Sequence, residues 1–505
     1  MKAVVAVPPI RDFYHTPHRF SSLGAIAVKK ILEECGVDAV LMNFPAMTNK
    51  PIPTNLPPEL LYLTPYLIQG ERGRTSFFQT FNHFGPDIET CTDIIMQERP
   101  DLCFLSCFAY CYSPQLIELA QCIRDRSATL PIIAGGAGVS VACEEIMQCL
   151  ALDAAIIREA ENAIPLYIQA LRNKSAFHHV PNVVWRENSR ILFSDISDTP
   201  ETFPLIWSET SVKNGRHLIS TALTRGCPRA CRYCPIHLVH GKRLRKTAEQ
   251  QLTEAIESES FSPDLSLHVI FEDDNLLLDF EYVMRIVQIC NAYFKDFSFS
   301  AENGMDYLLL DEDKIQRLVE SGITQFNLSI MSTTGAVLDG QSRHHNIDHY
   351  KKVVSRVSAH RLPCITYFIC GCNGDSVQSI ADNIVFLSEQ PTSVGISMFY
   401  AVPGLADMTD KQIRSPYHCL GSVAYPWFTE TSILVTAFRL SRLINLIKTD
   451  NKSPQEIQLI RKCLKEKQLY TFIRKDKQDV MIAVEHMNLE LSENVLSRIQ
   501  PENII

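Results

Sequence analysis

The chain has 505 residues, 46% apolar and 21% charged, which is the balance of an ordinary folded protein and excludes a disordered one; at this length two or three domains are expected, since single cores rarely grow past about 250–300 residues. A net charge of −9 with a pI near 5.9 excludes a broad polyanion-binding face and leaves the basic run HGKRLRK at 240–246 as a local feature, so no nucleic-acid partner is expected. No apolar run reaches the roughly 18–20 residues of a membrane-spanning helix, the opening MKAVVAVPPIRDFYH is too soon broken for a signal peptide, and seventeen cysteines without a secretory signal fit reduced thiols, so a cytoplasmic protein is expected.

In chain order, KAVVAVPP reads as a buried strand and SSLGAIAVKKILEECG as an amphipathic helix that ends at Gly36. DAVLMNF, DLCFLSCF, PIIAGGAG and DAAIIRE follow as strands, with SPQLIELAQCIRDR and CEEIMQCLA as helices between the later ones. This alternation predicts a doubly wound, Rossmann-like parallel sheet, whose ligands lie beyond the carboxyl ends of the strands. Gly135 and Gly136, at one such end, would let a large planar ligand or a phosphate approach the backbone, and would equally suit a tight strand-to-helix turn. REAEN sets Glu159 and Glu161 just past the last strand. Cys103, Cys107 and Cys111 are closely spaced too, but a strand sends such side chains in different directions, which favours core packing over a metal site.

NVVWRENSRILFS predicts a hairpin with its polar turn at Glu187 to Ser189, and DTPETFP a linker. From about residue 216 strands and helices alternate again. LISTALTR, LHVIFED, FSFSAE, QFNLSIM, CITYFICG and VGISMFYAV are the expected strands, and AEQQLTEAIES, DFEYVMRIVQICNAYF, DEDKIQRLVESG, DHYKKVVSRVSA and VQSIADNIVFLSE the helices. Six β/α units are too few for a closed eight-unit barrel and fit an open (β/α)6 partial barrel of the TIM type, with chemistry on the loops after the strands. The loop after the first strand carries GCPRACRYCPI. Three thiolates from Cys227, Cys231 and Cys234 can each hold one iron of a cuboidal 4Fe-4S cluster and leave the fourth iron open. Zinc is the competitor, with His237 or His240 as a fourth ligand.

The CxxxCxxC spacing, the aromatic before its last cysteine and its place after the first strand of a six-unit β/α domain resemble the radical S-adenosylmethionine (SAM) superfamily. The wider stretch TALTRGCPRACRYCPIHLVHGKRLR, with a doubly wound domain and a hairpin upstream, is similar to the branch with an N-terminal cobalamin-binding domain. The resemblance covers residues 1 to about 410. It implies that the SAM amino group is met at the end of the second strand, where FEDDN places Glu272, Asp273 and Asp274. It further implies contacts from Glu302 and Ser329 on the third and fourth strands and from the backbone at Gly371 on the fifth. SAM would chelate the open iron, and one electron would cleave it to a 5′-deoxyadenosyl radical. An external donor such as flavodoxin or ferredoxin is implied, together with a small-molecule substrate attacked at an unactivated carbon by methylation or rearrangement.

Many cobalamin domains of this branch carry a DxHxxG motif whose histidine ligates cobalt. This chain has RDFYHTPHRFSSLG, with His15 or His18 as the candidate and no glycine three residues after His15. Cobalamin would rest on the strand-end glycines Gly135 and Gly136. The alternatives are a radical SAM enzyme without cobalamin that only abstracts hydrogen, and a non-catalytic iron-sulfur or corrinoid sensor. ILVTAFRLSRLINLIK has an apolar stripe expected to pack on the barrel, a membrane-surface role being the other option. The expected organisation is a cobalamin-binding-like domain over 1–170, hairpin and linker over 171–215, the partial barrel over 216–410 and a helical C-terminal region over 411–505.

Overall fold

A computed structural model of the chain describes residues 1–14, 22–48, 50–187, 190–196, 199–213, 215–258, 264, 266–408 and 412–499. His15 and His18 therefore lie outside the described residues. The N-terminal part holds strands β1 (Lys2–Val7), β2 (Asp38–Asn43), β3 (Leu102–Ser106), β4 (Ile132–Gly135) and β5 (Ala154–Ile156). Its principal helices are α1 (Leu23–Glu34), α2 (Ile88–Gln97), α3 (Ser113–Arg126) and α4 (Ala163–Asn173). These five strands are parallel and run β2-β1-β3-β4-β5 across the sheet, so the winding reverses between β1 and β3. Ligands of doubly wound sheets bind beside that reversal.

Alternation along the strands feeds two cores. Val4 and Ala6 pack with Cys103, Leu105, Ile132 and Ala134 beneath α2 and α3, while Ala3, Val5 and Val7 pack with Leu102, Phe104 and Ile133 beneath α1 and α4. Burial on both faces explains why these strands read as unbroken apolar runs. Cys103, Cys107 and Cys111 are all buried in the first of these cores.

The hairpin forms as β6 (Val183–Glu187) and β7 (Arg190–Phe193), yet it does not stand apart as a linker. β6 pairs antiparallel with β5 and extends the sheet to seven strands, and Trp185 is buried against Phe177 and His178.

The second α/β part begins with β8 (Ser208–Lys213), an antiparallel edge strand on β9 (Arg216–Thr221). β9, β10 (Ser266–Phe271) and β11 (Asp296–Ala301) are parallel, as are β12 (Phe326–Met331), β13 (Cys364–Cys370) and β14 (Ser393–Met398). The two sheets meet through the parallel bridges Phe299 to Ile323 and Met305 to Leu328. Helices α5 (Glu249–Ser258), α6 (Phe280–Tyr293), α7 (Glu312–Glu320), α8 (Ile347–Ala359) and α9 (Val377–Ser388) connect the strands. Six successive parallel strands thus carry their helices on connections, and the loops after β9 and β10 share a cavity with the first sheet.

The C-terminal region is not wholly helical, contrary to expectation. Between α10 (Thr431–Lys448), α11 (Pro454–Glu466) and α12 (Leu489–Arg498) lies a hairpin of β15 (Tyr470–Lys475) and β16 (Gln478–Ala483). β15 also pairs with Glu71–Arg72 from the N-terminal half, a long-range partner that local patterning could not reveal. Helix α10 packs on β14, α9 and α12 and buries Leu434, Val435, Leu440, Leu443 and Ile444, so its apolar stripe is core. No helix among the described residues is long and apolar enough to cross a membrane.

On α10, Arg439 is almost fully enclosed and pairs with the equally buried Glu71, one of its contacts being 3.0 Å. Glu71 also accepts from the Thr471 hydroxyl at 2.9 Å, so one carboxylate pins the N-terminal half, α10 and β15 together. Removing one partner strands a buried charge, which costs about 3–5 kcal/mol. Glu71→Gln should therefore lower the unfolding free energy in denaturant titrations by about that amount, and a Glu71→Gln/Arg439→Met double variant should recover much of it. A loss below about 1 kcal/mol for the single change would show that the pair does not hold these elements.

Candidate functional site

The loop that carries the three cysteines is closed at its base by a two-residue antiparallel ladder, Thr224–Arg225 against Arg245–Lys246. Within it Cys227, Cys231 and Cys234 all line one cavity of about 170 Å3. Each sulfur has a nearby donor. The Arg229 backbone and the Asn275 amide approach Cys227, the latter at 3.9 Å, and the Ile236 backbone approaches Cys234. Burial raises the Cys227 thiol and pushes the Cys234 thiol up to about 12, so a metal must displace protons to bind here. Among the described residues no three His, Cys, Asp or Glu side chains converge on a single ion. Three thiols spread around a space far larger than one ion suit a cuboidal cluster, each sulfur holding its own iron. His237 lines the same cavity with its Nδ1 buried and unpartnered.

The three neighbouring carboxylates beyond β10 go three ways. Asp273 turns inward, where its carboxylate accepts from the Leu223 N–H at 3.2 Å and from the Thr224 N–H and hydroxyl at 2.6 Å each. It lines neither cavity and acts as a brace for the end of β9. Glu272 lines a second cavity, between the first sheet and the strands of the second α/β part. Asp274 lines both. Its Oδ2 accepts from the Gly226 N–H at 2.7 Å and sits 2.8 Å from His240 Nδ1, which makes this side chain a wall between the two spaces.

Other cavity residues come from later loops. Asn275, Asn303, Gly304, Asp306, Ser329 and Arg343 complete the lining around the cysteines. Asn275 Oδ1 is buried without a partner and is free to accept a ligand proton. Ser329 is where the sequence suggested. Glu302 is exposed and outside the cavity, and its neighbour Asn303 takes the place instead, because one step past a strand end reverses the side chain's direction. Gly371 lies outside it as well: at φ +90° its N–H donates to Asp375 at 2.8 Å, and a Cβ would meet Leu434 at 2.7 Å, so the glycine answers to α10 packing.

The second cavity holds about 280 Å3 and lies at the carboxyl ends of β1, β3 and β4, beside the winding reversal. Gly135 and Gly136 floor it. At Gly136, φ is +104° and a Cβ would come within 2.5 Å of the Cys107 carbonyl, so only glycine fits. Its inner wall is apolar, with Val5, Ala25, Phe104, Ile156 and Ile164, and its rim is charged. There Glu159 accepts from Arg245 at 2.7 Å and from Arg225 at 3.2 Å, and Glu161 accepts from Arg225 at 2.6 Å. A glycine-floored, apolar slot with a polar rim fits a large flat ring bearing polar substituents, the chemistry of a corrinoid.

Residues 221–387 match the family model of the radical SAM superfamily, so the central part of this chain is a radical SAM domain, and such a domain implies a 4Fe-4S cluster and SAM. In sequence the chain is similar to the bacteriochlorophyllide d C-12(1)-methyltransferase of Chlorobaculum tepidum, 23% identical over 220 residues that make up 42% of this chain and 47% of that protein. It spans about half the length of the curated relatives it matches. In structure it is similar to the radical SAM methyltransferase TsrM from Kitasatospora setae, solved with tryptophan and a SAM analogue, with a TM-score of 0.60 at 12% identity over 80% of this chain and 74% of that one. OxsB, a cobalamin-dependent radical SAM enzyme solved with aqua-cobalamin, gives 0.52 at 12% identity over 78% and 53%. At these identities the structural likeness is one of fold.

Burial pushes Asp273 up to about 7 against an ordinary carboxylate value near 3.9. Between those values the native chain keeps a proton that the unfolded chain releases, so this group's contribution to stability falls as pH rises toward 7 and is flat above it. Asp273→Asn does not titrate. Unfolding titrations from pH 5 to pH 7 should show a pH slope less negative by up to one proton, about 1.4 kcal/mol per pH unit; an unchanged slope would mean Asp273 is ionised throughout.

Proposed function

We propose that this chain is a cobalamin-dependent radical SAM enzyme that methylates an unactivated carbon of a small molecule. The observation that carries the proposal is the shared wall at Asp274, which sets a three-cysteine cavity directly against a glycine-floored cleft at the switch point of the first sheet. Cys227, Cys231 and Cys234 would hold the cluster. Asn275, Asn303 and Ser329 offer the polar contacts for SAM in front of it, with the unpartnered Asn275 Oδ1 suited to the amino group. Gly135 and Gly136 would floor the cobalamin. When bound, these groups supply one-electron cleavage of SAM and a cobalt-borne methyl group.

The protein's own part is positioning and exclusion of water. Asp273 fixes the end of β9, Asp274 fixes the first residue of the cysteine loop, and His240 stands on the cleft side with Nδ1 held by Asp274. An Asp–His pair of this kind can orient a substrate proton or accept it. Methyl transfer is favoured over hydrogen abstraction alone because the sequence relative and TsrM are both methyltransferases. The electron would come from an external one-electron donor such as flavodoxin or ferredoxin.

Anaerobic reconstitution with iron and sulfide, then hydroxocobalamin, SAM and a reductant, tests this reading by product analysis. Both S-adenosylhomocysteine and 5′-deoxyadenosine should form, and Cys231→Ala should abolish both along with the cluster's iron. 5′-Deoxyadenosine alone would favour a cobalamin-free enzyme; no product, with iron content unaltered by Cys231→Ala, would refute the proposal.

A further inference from the structure

Arg343 lies 112 residues beyond Cys231 in sequence and belongs to no motif, yet it lines the cysteine cavity and is only 8% exposed. The turn that delivers it closes a short helix, Gly335–Gly340, which ends at Gln341: Ser342 follows at φ +53°, and the Arg343 N–H donates back to the Leu338 carbonyl at 2.9 Å, a common left-handed helix ending. The Arg232 N–H in the cysteine loop donates to the Gln341 carbonyl at 3.1 Å. The turn is therefore clamped to the cysteine loop itself, and Ala230 in that loop is likewise left-handed at φ +48°.

The guanidinium is held from behind and free in front. One Nη donates to Asp306 at 3.3 Å and to the Ser329 carbonyl at 3.2 Å, and Asp306 is fixed in turn by Arg229 at 2.8 Å. The Nε–H is buried with no partner. The guanidinium, the Tyr233 hydroxyl and the Cys231 thiol line the same cavity, where the positive charge of Arg343 and the thiol interact electrostatically. Asp306 is shared between two arginines, so this corner keeps a net positive charge facing sulfur.

We infer that Arg343 is a positioning residue for the cluster, donating to the Cys231 sulfur and raising the reduction potential of the bound 4Fe-4S centre. The inference rests on the reading that the three cysteines hold that cluster. Its physics is general: reduction adds one electron to the cluster, and hydrogen bonds to its sulfurs together with nearby positive charge stabilise the more negative state. The placement supports this: the turn is tied to the cysteine loop through Gln341, and Asp306, already paired with Arg229, occupies only one edge of the Arg343 guanidinium.

The test uses the full chain and its Arg343→Met and Arg343→Gln variants, reconstituted anaerobically with iron and sulfide and titrated with a one-electron reductant, titanium(III) citrate, while the EPR signal of the reduced cluster is followed. Both variants should hold as much iron as the parent and show a more negative midpoint potential, with fewer clusters reduced at a given poise. A parental potential in either variant holding a full cluster, or failure of both folded variants to hold one, overturns the inference. Absence of a cluster in the parent chain would instead strike the reading beneath it.

Discussion

The arrangement depends on a buried ionic knot between two sheets. Glu159, just past the last parallel strand of the first sheet, receives Arg245 in a contact from which water is excluded, and shares Arg225 with Glu161. Arg225 immediately precedes the cysteine loop and lies over the Phe203 ring at 4.2 Å; Arg245 closes that loop and also donates to the carbonyls of Pro200 and His240 at 2.9 Å each. Buried charges of this sort persist only when fully paired, because their desolvation exceeds what a single contact returns. The knot therefore fixes the base of the cysteine loop to the sheet that floors the neighbouring cleft, and the spacing of the two cavities follows from it.

Asp274 is where that geometry becomes chemistry. One carboxylate oxygen holds the first N–H of the cysteine loop and the His240 ring, so a shift of the loop moves the wall of both cavities at once. The same economy recurs at Asp273, which spends its carboxylate on the end of β9, and at Asp306, which ties Arg229 in the loop to Arg343 from a distant turn. Rigidity around the cysteines is thus supplied largely by three carboxylates, of which Asp274 and Asp306 also line the cavity and Asp273 is turned away from it.

Much of this was legible in the sequence where the signal is local. The cysteine trio announces itself by ligand spacing, the doubly wound order by apolar runs of strand length, and the strand-end glycines by their place after PIIA. Legibility ends where direction or distance decides. FEDDN offers three carboxylates in a row, but only the backbone path beyond β10 determines that Glu272 faces the cleft, Asp273 the interior and Asp274 the wall. Glu302 and Asn303 exchange places by a single residue of register. Arg343, Asp306 and the arginine partners of Glu159 come from turns far apart in sequence, and nothing in GQSRHH marks a cavity residue. β8 was hidden because SETSVK is a polar edge strand without apolar alternation, and the pairing of β15 with Glu71–Arg72 because those residues lie 400 residues away in the chain.

The most direct measurement of the central claim, two cofactors in adjoining cavities divided by Asp274, is EPR spectroscopy of the chain loaded with both an iron-sulfur cluster and cob(II)alamin and then reduced so that both centres are paramagnetic. The shared wall predicts mutual spin–spin broadening or splitting of the two signals, absent when either centre is loaded alone. Two unperturbed signals that simply add, with both centres at full occupancy, would contradict it.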